Sequence, residues 1–147
     1  MKSPKQYSPA SLRPMKRIGE WAEIRFMAEA TGRGLTVLKP YGDSARFDFA
    51  VSSGGPLHRV QVKSTSSMTC SDAYPCNYHT QRKPYSPQDH DFLAAYVIPC
   101  DAWYIIPAEA IRLGTLMLYL YPHRRRSRGR WENYREAWNL LGQPSRV

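Results

Sequence analysis

The sequence predicts an α/β domain, and three observations carry that prediction. Residues 17–31 contain no proline and read as a helix that Gly32 and Gly34 stop. Phe47, Phe49 and Val51 alternate with polar or small neighbours, as do Val60 and Val62, and the dense turn signal Ser52–Pro56 lies between the two runs. Two further apolar runs, Phe92–Pro99 and Trp103–Ile106, read as paired core strands. With 147 residues, 42% hydrophobic and 22% charged, the composition is that of a globular chain and excludes wholesale disorder or a fibre.

The elements follow in order. Residues 1–14, with Pro4, Pro9 and Pro14 among serines and lysines, read as a loose basic arm ahead of a domain over 15–147. On a helical wheel, Arg25 and Glu29 mark a wet side. Ile18, Trp21, Ala22, Ile24, Phe26, Met27, Ala28 and Ala30 form the remaining arc. Leu35–Leu38 reads as a short strand closed by Pro40, and the two alternating runs after it as a hairpin. The polar stretch 64–90 is too long for an idle loop in a compact domain, and Tyr74–Gln81 offers a strand within it. Pro107–Ile111 starts like a helix, Thr115–Tyr121 is a strand candidate, and Trp131–Leu141 reads as a closing helix.

Twenty-one Lys and Arg face twelve Asp and Glu, giving a net charge of +9. Such a field attracts polyanions, and nucleic acid is the commonest. No apolar run is long enough to span a bilayer, and the first residues carry no apolar signal segment, so no membrane role is expected. Three cysteines, an odd number, fit reduced thiols and a cytoplasmic location. Cys70, Cys76 and His79 lack the paired spacing of a zinc site.

Glu20 and Glu23 fall inside the apolar arc of the helix, where a carboxylate needs a cation, a metal or hydrogen bonds. A solvated helix edge or a pairing arginine is the plainer explanation. The hairpin offers partners. Gln61 and Lys63 share one face of their strand, opposite Val60 and Val62, and Asp48 points away from Phe47 and Phe49. If the hairpin pairs in register, Asp48, Gln61 and Lys63 converge, and a helix over that face could add Glu23. Hard oxygen donors of this kind suit Mg²⁺ or Mn²⁺, and the lysine could stabilise a developing oxyanion.

Taken together, Glu23, Phe47-Asp48 and Gln61-Val62-Lys63, within the run Val60–Thr65, resemble the motif of PD-(D/E)XK nucleases. The similarity is greatest to the small endonucleases associated with group I introns, in which Gln replaces the acidic residue before the lysine. Gly19–Glu23, the Lys39–Asp43 turn and 91–107 extend it over roughly residues 17–141. Archaeal Holliday junction resolvases are similar in the first half only. The resemblance implies a restriction-endonuclease-like core, a mixed sheet flanked by helices, and metal-dependent hydrolysis of DNA phosphodiesters. It makes Asp48 the metal-binding acid, Gln61 the variant second ligand, Val62 a carbonyl ligand, Lys63 the catalytic lysine and Glu23 the helix acid, with Glu20 as competitor. It also implies a homodimer or tetramer. A neutral amide at position 61 is a weaker ligand than a carboxylate. A non-cutting DNA-binding protein and a structure-selective resolvase are therefore the alternatives.

His123–Arg130 holds five arginines: Arg124, Arg125, Arg126, Arg128 and Arg130. Their planar forks suit phosphate oxygens, although such a run also suits a solvated loop. Arg82 and Lys83, interleaved with Tyr74, Tyr78 and Tyr85, could line a duplex groove; the tyrosines could equally be core beneath a loop.

Overall fold

The computed structural model describes residues 15–123 and 129–142. The expected basic arm over 1–14 lies outside the described residues, as do Arg124, Arg125, Arg126 and Arg128.

Helix α1 spans Met15–Gly32 and buries Ala22, Phe26 and Ala30, a stripe at four-residue spacing. The stripe is narrower than the arc read from the wheel. Ile24 stands 58% exposed, because a helix on one sheet face needs only one row of contacts. The helix ends in a capped turn: Leu35 N–H donates to the Ala30 carbonyl and Gly34 N–H to that of Thr31. Gly34 supplies the left-handed backbone, φ +83°, that this Schellman-type cap requires. The chain then enters β1, Thr36–Leu38.

β2 (Phe49–Ser52) and β3 (His58–Thr65) form the antiparallel hairpin, with Phe49 opposite Val60 and Val51 opposite His58. β7 (Phe92–Val97) pairs parallel to β3, and β8 (Ala102–Pro107) pairs antiparallel to β7. The five-stranded sheet has the order β1-β2-β3-β7-β8 and is therefore mixed. The crossover from β3 to β7 holds the polar stretch. It carries β4 (Tyr74–Asn77), β5 (His79–Thr80) and β6 (Lys83–Pro84). β4 pairs with β9 (Met117–Leu120), and β5 with β6. A parallel crossover is usually helical. Here a two-stranded ribbon takes that place.

Arg59 and Asp91 fasten the start of the parallel pair. The Asp91 carboxylate accepts from Arg59 N–H at 2.8 Å, from Nε at 3.2 Å and from Nη2 at 3.0 Å. Burial opposes ionisation of Asp91, but the hydrogen bonds from Arg59 outweigh it and hold the carboxyl below the usual range. Asp91 thus serves as a structural staple between β3 and β7.

The sheet has an apolar layer on each face. On one side Phe26 of α1 stacks on Phe49 (5.5 Å between centroids) and Trp138 (5.6 Å), and meets Trp103 edge-on (5.8 Å). On the other, Leu93, Ala95, Val97, Tyr104 and Ile106 pack against Tyr74, Cys76, Tyr78, Tyr85, Leu118 and Leu120. Tyr74, Tyr78 and Tyr85 are thus core residues, not groove-lining ones.

Two expected helices differ from the sequence reading. Pro107–Ile111 yields only a 3-10 turn at Ala108–Ala110, since Pro107 finishes β8 and Ala108 N–H donates to the Asp91 carbonyl at 2.8 Å. Over 131–141, a 3-10 turn (Glu132–Tyr134) and a single helical turn, α2 (Asn139–Gly142), replace one helix. Between them Glu136 sits at φ +53°. Its N–H donates to the Trp103 carbonyl at 2.7 Å and its carboxylate accepts from Trp103 N–H at 2.8 Å. Pairing with the β8 edge thus overrides local helix propensity.

Candidate active site

Asp48 lies directly before β2, next to the last hairpin pair. Its Oδ2 accepts two hydrogen bonds, from Val62 N–H and from Gln61 Nε2, each at 2.7 Å. The same Gln61 Nε2 is 3.4 Å from the Val62 carbonyl oxygen. Three of the predicted site residues are therefore gathered around one point. Strand geometry explains this: residue 61 projects from the face away from α1, and the Asp48 side chain turns in to meet it and the β3 backbone.

Burial pushes the Asp48 carboxyl up to about 6. The Val62 N–H opposes this, Glu23 adds to it, and Lys63 and Lys39 pull it down. Glu23 is half-buried and its Oε2 lies 3.4 Å from Lys39 Nζ. Glu20 is exposed. The structure therefore brings Glu23, not Glu20, into electrostatic contact with Asp48.

One expectation is corrected. Helix α1 does not lie over the Gln61/Lys63 face. It packs on the opposite face, with Val60, Val62, Ala94 and Tyr96. The reason is energetic: those apolar side chains must be covered, and a helix with an Ala-Phe-Ala stripe covers them. Glu23 reaches Asp48 from that side because Asp48 stands off the end of β2, not within the sheet.

Lys63 points into the ribbon layer. Its Nζ donates to the His79 carbonyl at 3.4 Å and stands 5.5 Å from the centre of the Tyr85 ring. Lys39 was not singled out by sequence reasoning, which read it as part of a turn. It sits 4.9 Å above the Phe49 ring and beside Glu23, so it contributes positive charge at the site. The signal was there in outline: a lysine closing an apolar strand immediately before a Pro-Tyr-Gly turn.

The donor set fits a hard divalent cation. Among the described residues no three His, Cys, Asp or Glu side chains form a metal-holding group. Two carboxylates and a backbone carbonyl nevertheless offer oxygen, while the Gln61 amide turns its nitrogen to Asp48. The Gln61 amide bridges Asp48 Oδ2 and the Val62 carbonyl, and turning it over would present its oxygen instead.

Of the predicted DNA-facing residues, Arg82 and Lys83 are exposed on the β5–β6 hairpin. Gln81 and Arg82 form its tip at φ +47° and +63°. Both angles are those of a primed hairpin turn built without glycine. Arg130 is exposed and lies 4.9 Å over the Trp131 ring.

A mixed five-stranded sheet with an acid entering at the end of one hairpin strand, and Gln-Val-Lys on the next, is the architecture of a nuclease core. A family profile for PD-(D/E)XK endonucleases matches residues 14–141. The chain belongs to the PD-(D/E)XK endonuclease family. It is similar in structure to a bacterial homing endonuclease, I-Ssp6803I, with a TM-score of 0.76 and 30% sequence identity over 88% of this chain and 92% of that one. Among curated proteins there is no match. No helix of the described residues is long and apolar enough to cross a membrane.

Proposed function

We propose that this protein is a metal-dependent endonuclease of the homing type, which hydrolyses phosphodiester bonds of double-stranded DNA as a homo-oligomer in the cytoplasm. The observation that carries the reading is the Asp48 carboxylate. It is half-buried at an electrostatic cost, bonded to Val62 N–H and Gln61 at 2.7 Å, and flanked by Glu23, Lys39 and Lys63. Residues rarely retain so unfavourable a charge without a task.

Asp48, Gln61, the Val62 carbonyl and Glu23 would hold Mg²⁺ or Mn²⁺, which supplies charge stabilisation on the phosphoryl oxygens. Lys63 places an ammonium beside the reacting phosphate, where it stabilises developing negative charge. Lys39 holds Glu23 in place. Arg82, Lys83 and Arg130, with Arg124, Arg125, Arg126 and Arg128, grip the duplex backbone. One Asp–Gln–Lys constellation per chain makes a symmetric pair of protomers the simplest route to cutting both strands.

The test is incubation with supercoiled plasmid and Mg²⁺ or Mn²⁺. Nicked and linear products are expected, and Asp48→Ala and Lys63→Ala should bind DNA without cutting. Binding without cleavage in both metals would instead favour a DNA-binding protein on the nuclease fold. A preference for four-way junctions over linear duplex would favour a resolvase.

A further inference from the structure

We propose that Tyr85 is a positioning residue for Lys63, its ring face and the His79 carbonyl together fixing where the ammonium stands. This rests on the role proposed above for Lys63. Tyr85 is buried at 6% exposure, and its ring lies 5.5 Å from Lys63 Nζ and 5.1 Å from Arg46 Cζ. A ring face attracts a cation most when both are shielded from water. Lys63 has a four-carbon stem and would otherwise sample many positions.

The ring itself cannot wander. It packs 5.2 Å from Tyr78 and 5.0 Å from His90. His90 is fully buried; its Nε2 is 2.6 Å from the Tyr78 hydroxyl and its Nδ1 3.3 Å from the Arg46 carbonyl. Arg46 in turn pairs with Asp89 at 3.3 Å and donates to the Pro84 carbonyl at 3.3 Å. The crossover is thereby clamped both to Lys63 and to a residue two before Asp48. The two halves of the site, reached from different strands, share one aromatic support.

This assigns the 64–90 stretch a task beyond covering the sheet. Lysine placement depends on a ring 22 residues further along the chain, in the same segment that carries the exposed Arg82 and Lys83.

The experiment compares wild type, Tyr85→Leu and Tyr85→Phe by single-turnover plasmid cleavage, duplex binding and NMR of the Lys63 side chain. Tyr85→Leu should cut roughly 5- to 30-fold more slowly at unchanged duplex affinity. Tyr85→Phe keeps the ring face and should restore the rate. The Lys63 Hε resonances should be shifted by the ring current in wild type and Tyr85→Phe, and lose that shift in Tyr85→Leu. A folded Tyr85→Leu that cuts at the wild-type rate, or a Tyr85→Phe as slow as Tyr85→Leu, overturns the proposal. If wild type cuts nothing, the nuclease reading fails, and the NMR comparison alone decides: unchanged Lys63 shifts in Tyr85→Leu overturn the positioning role.

Discussion

Val62 gives its backbone N–H to Asp48 Oδ2 at 2.7 Å, so a main-chain donor of the lysine strand orients the acid of the preceding strand. The donor is main chain, so every substitution at position 62 except proline keeps it. The bond fixes the acid by the register of the hairpin, at the residue immediately before Lys63.

The same acid should cost stability. Its carboxyl is raised from 3.8 to about 6, so the folded protein binds that proton more tightly than the unfolded chain. Its contribution is therefore greatest at low pH and is lost as pH rises through about 6, amounting to at most about 3 kcal/mol at about 1.4 kcal/mol per unit. Asp48→Asn should melt higher than wild type at pH 8 without metal, while cutting no DNA. An equal or lower melting temperature would mean that the two hydrogen bonds matter more than the burial of charge.

His90 titrates in the opposite sense. Burial lowers it from 6.5 to about 4, against the raising effect of the hydrogen bond its ring N–H donates to the Arg46 carbonyl. The unfolded chain gains the proton first, so stability present above 6.5 falls as pH drops toward 4, by up to about 3 kcal/mol. In wild type the two groups oppose each other between 4 and 6. In Asp48→Asn only the His90 effect remains, and acid melting curves should steepen over that interval.

Gln61→Glu would set two carboxylates where an amide now donates to Asp48 at 2.7 Å. Without metal the variant should be less stable than wild type by about 1–3 kcal/mol. With Mg²⁺ it should gain more in melting temperature than wild type, since a further charged ligand joins Asp48 and Glu23. Calorimetric titration with Mg²⁺ checks the same point directly.

Duplex affinity should fall steeply with salt as condensed counterions are released. Arg82→Ala with Lys83→Ala should reduce the slope of log affinity against log salt by up to about 1.8, two phosphate contacts' worth. Neutralising Arg124, Arg125 and Arg126 together should reduce it by up to about three contacts' worth. An unchanged slope in either variant places that group off the DNA.

The sequence alone determined what local patterns control. Proline, glycine and the alternation of apolar residues set α1, the β2–β3 hairpin and the β7–β8 pair, because backbone freedom and side-chain period act over a few residues. The meeting of Asp48 with Gln61 was legible for the same reason: it depends on hairpin register. Long-range contacts decided the rest. Which sheet face α1 covers was settled by burial of Val60, Val62 and Tyr96, and Glu136 left the helix pattern to pair with Trp103. The pairing of Lys39 with Glu23 and the contact of Tyr85 with Lys63 join residues that share no local period. Only the folded chain brings them together.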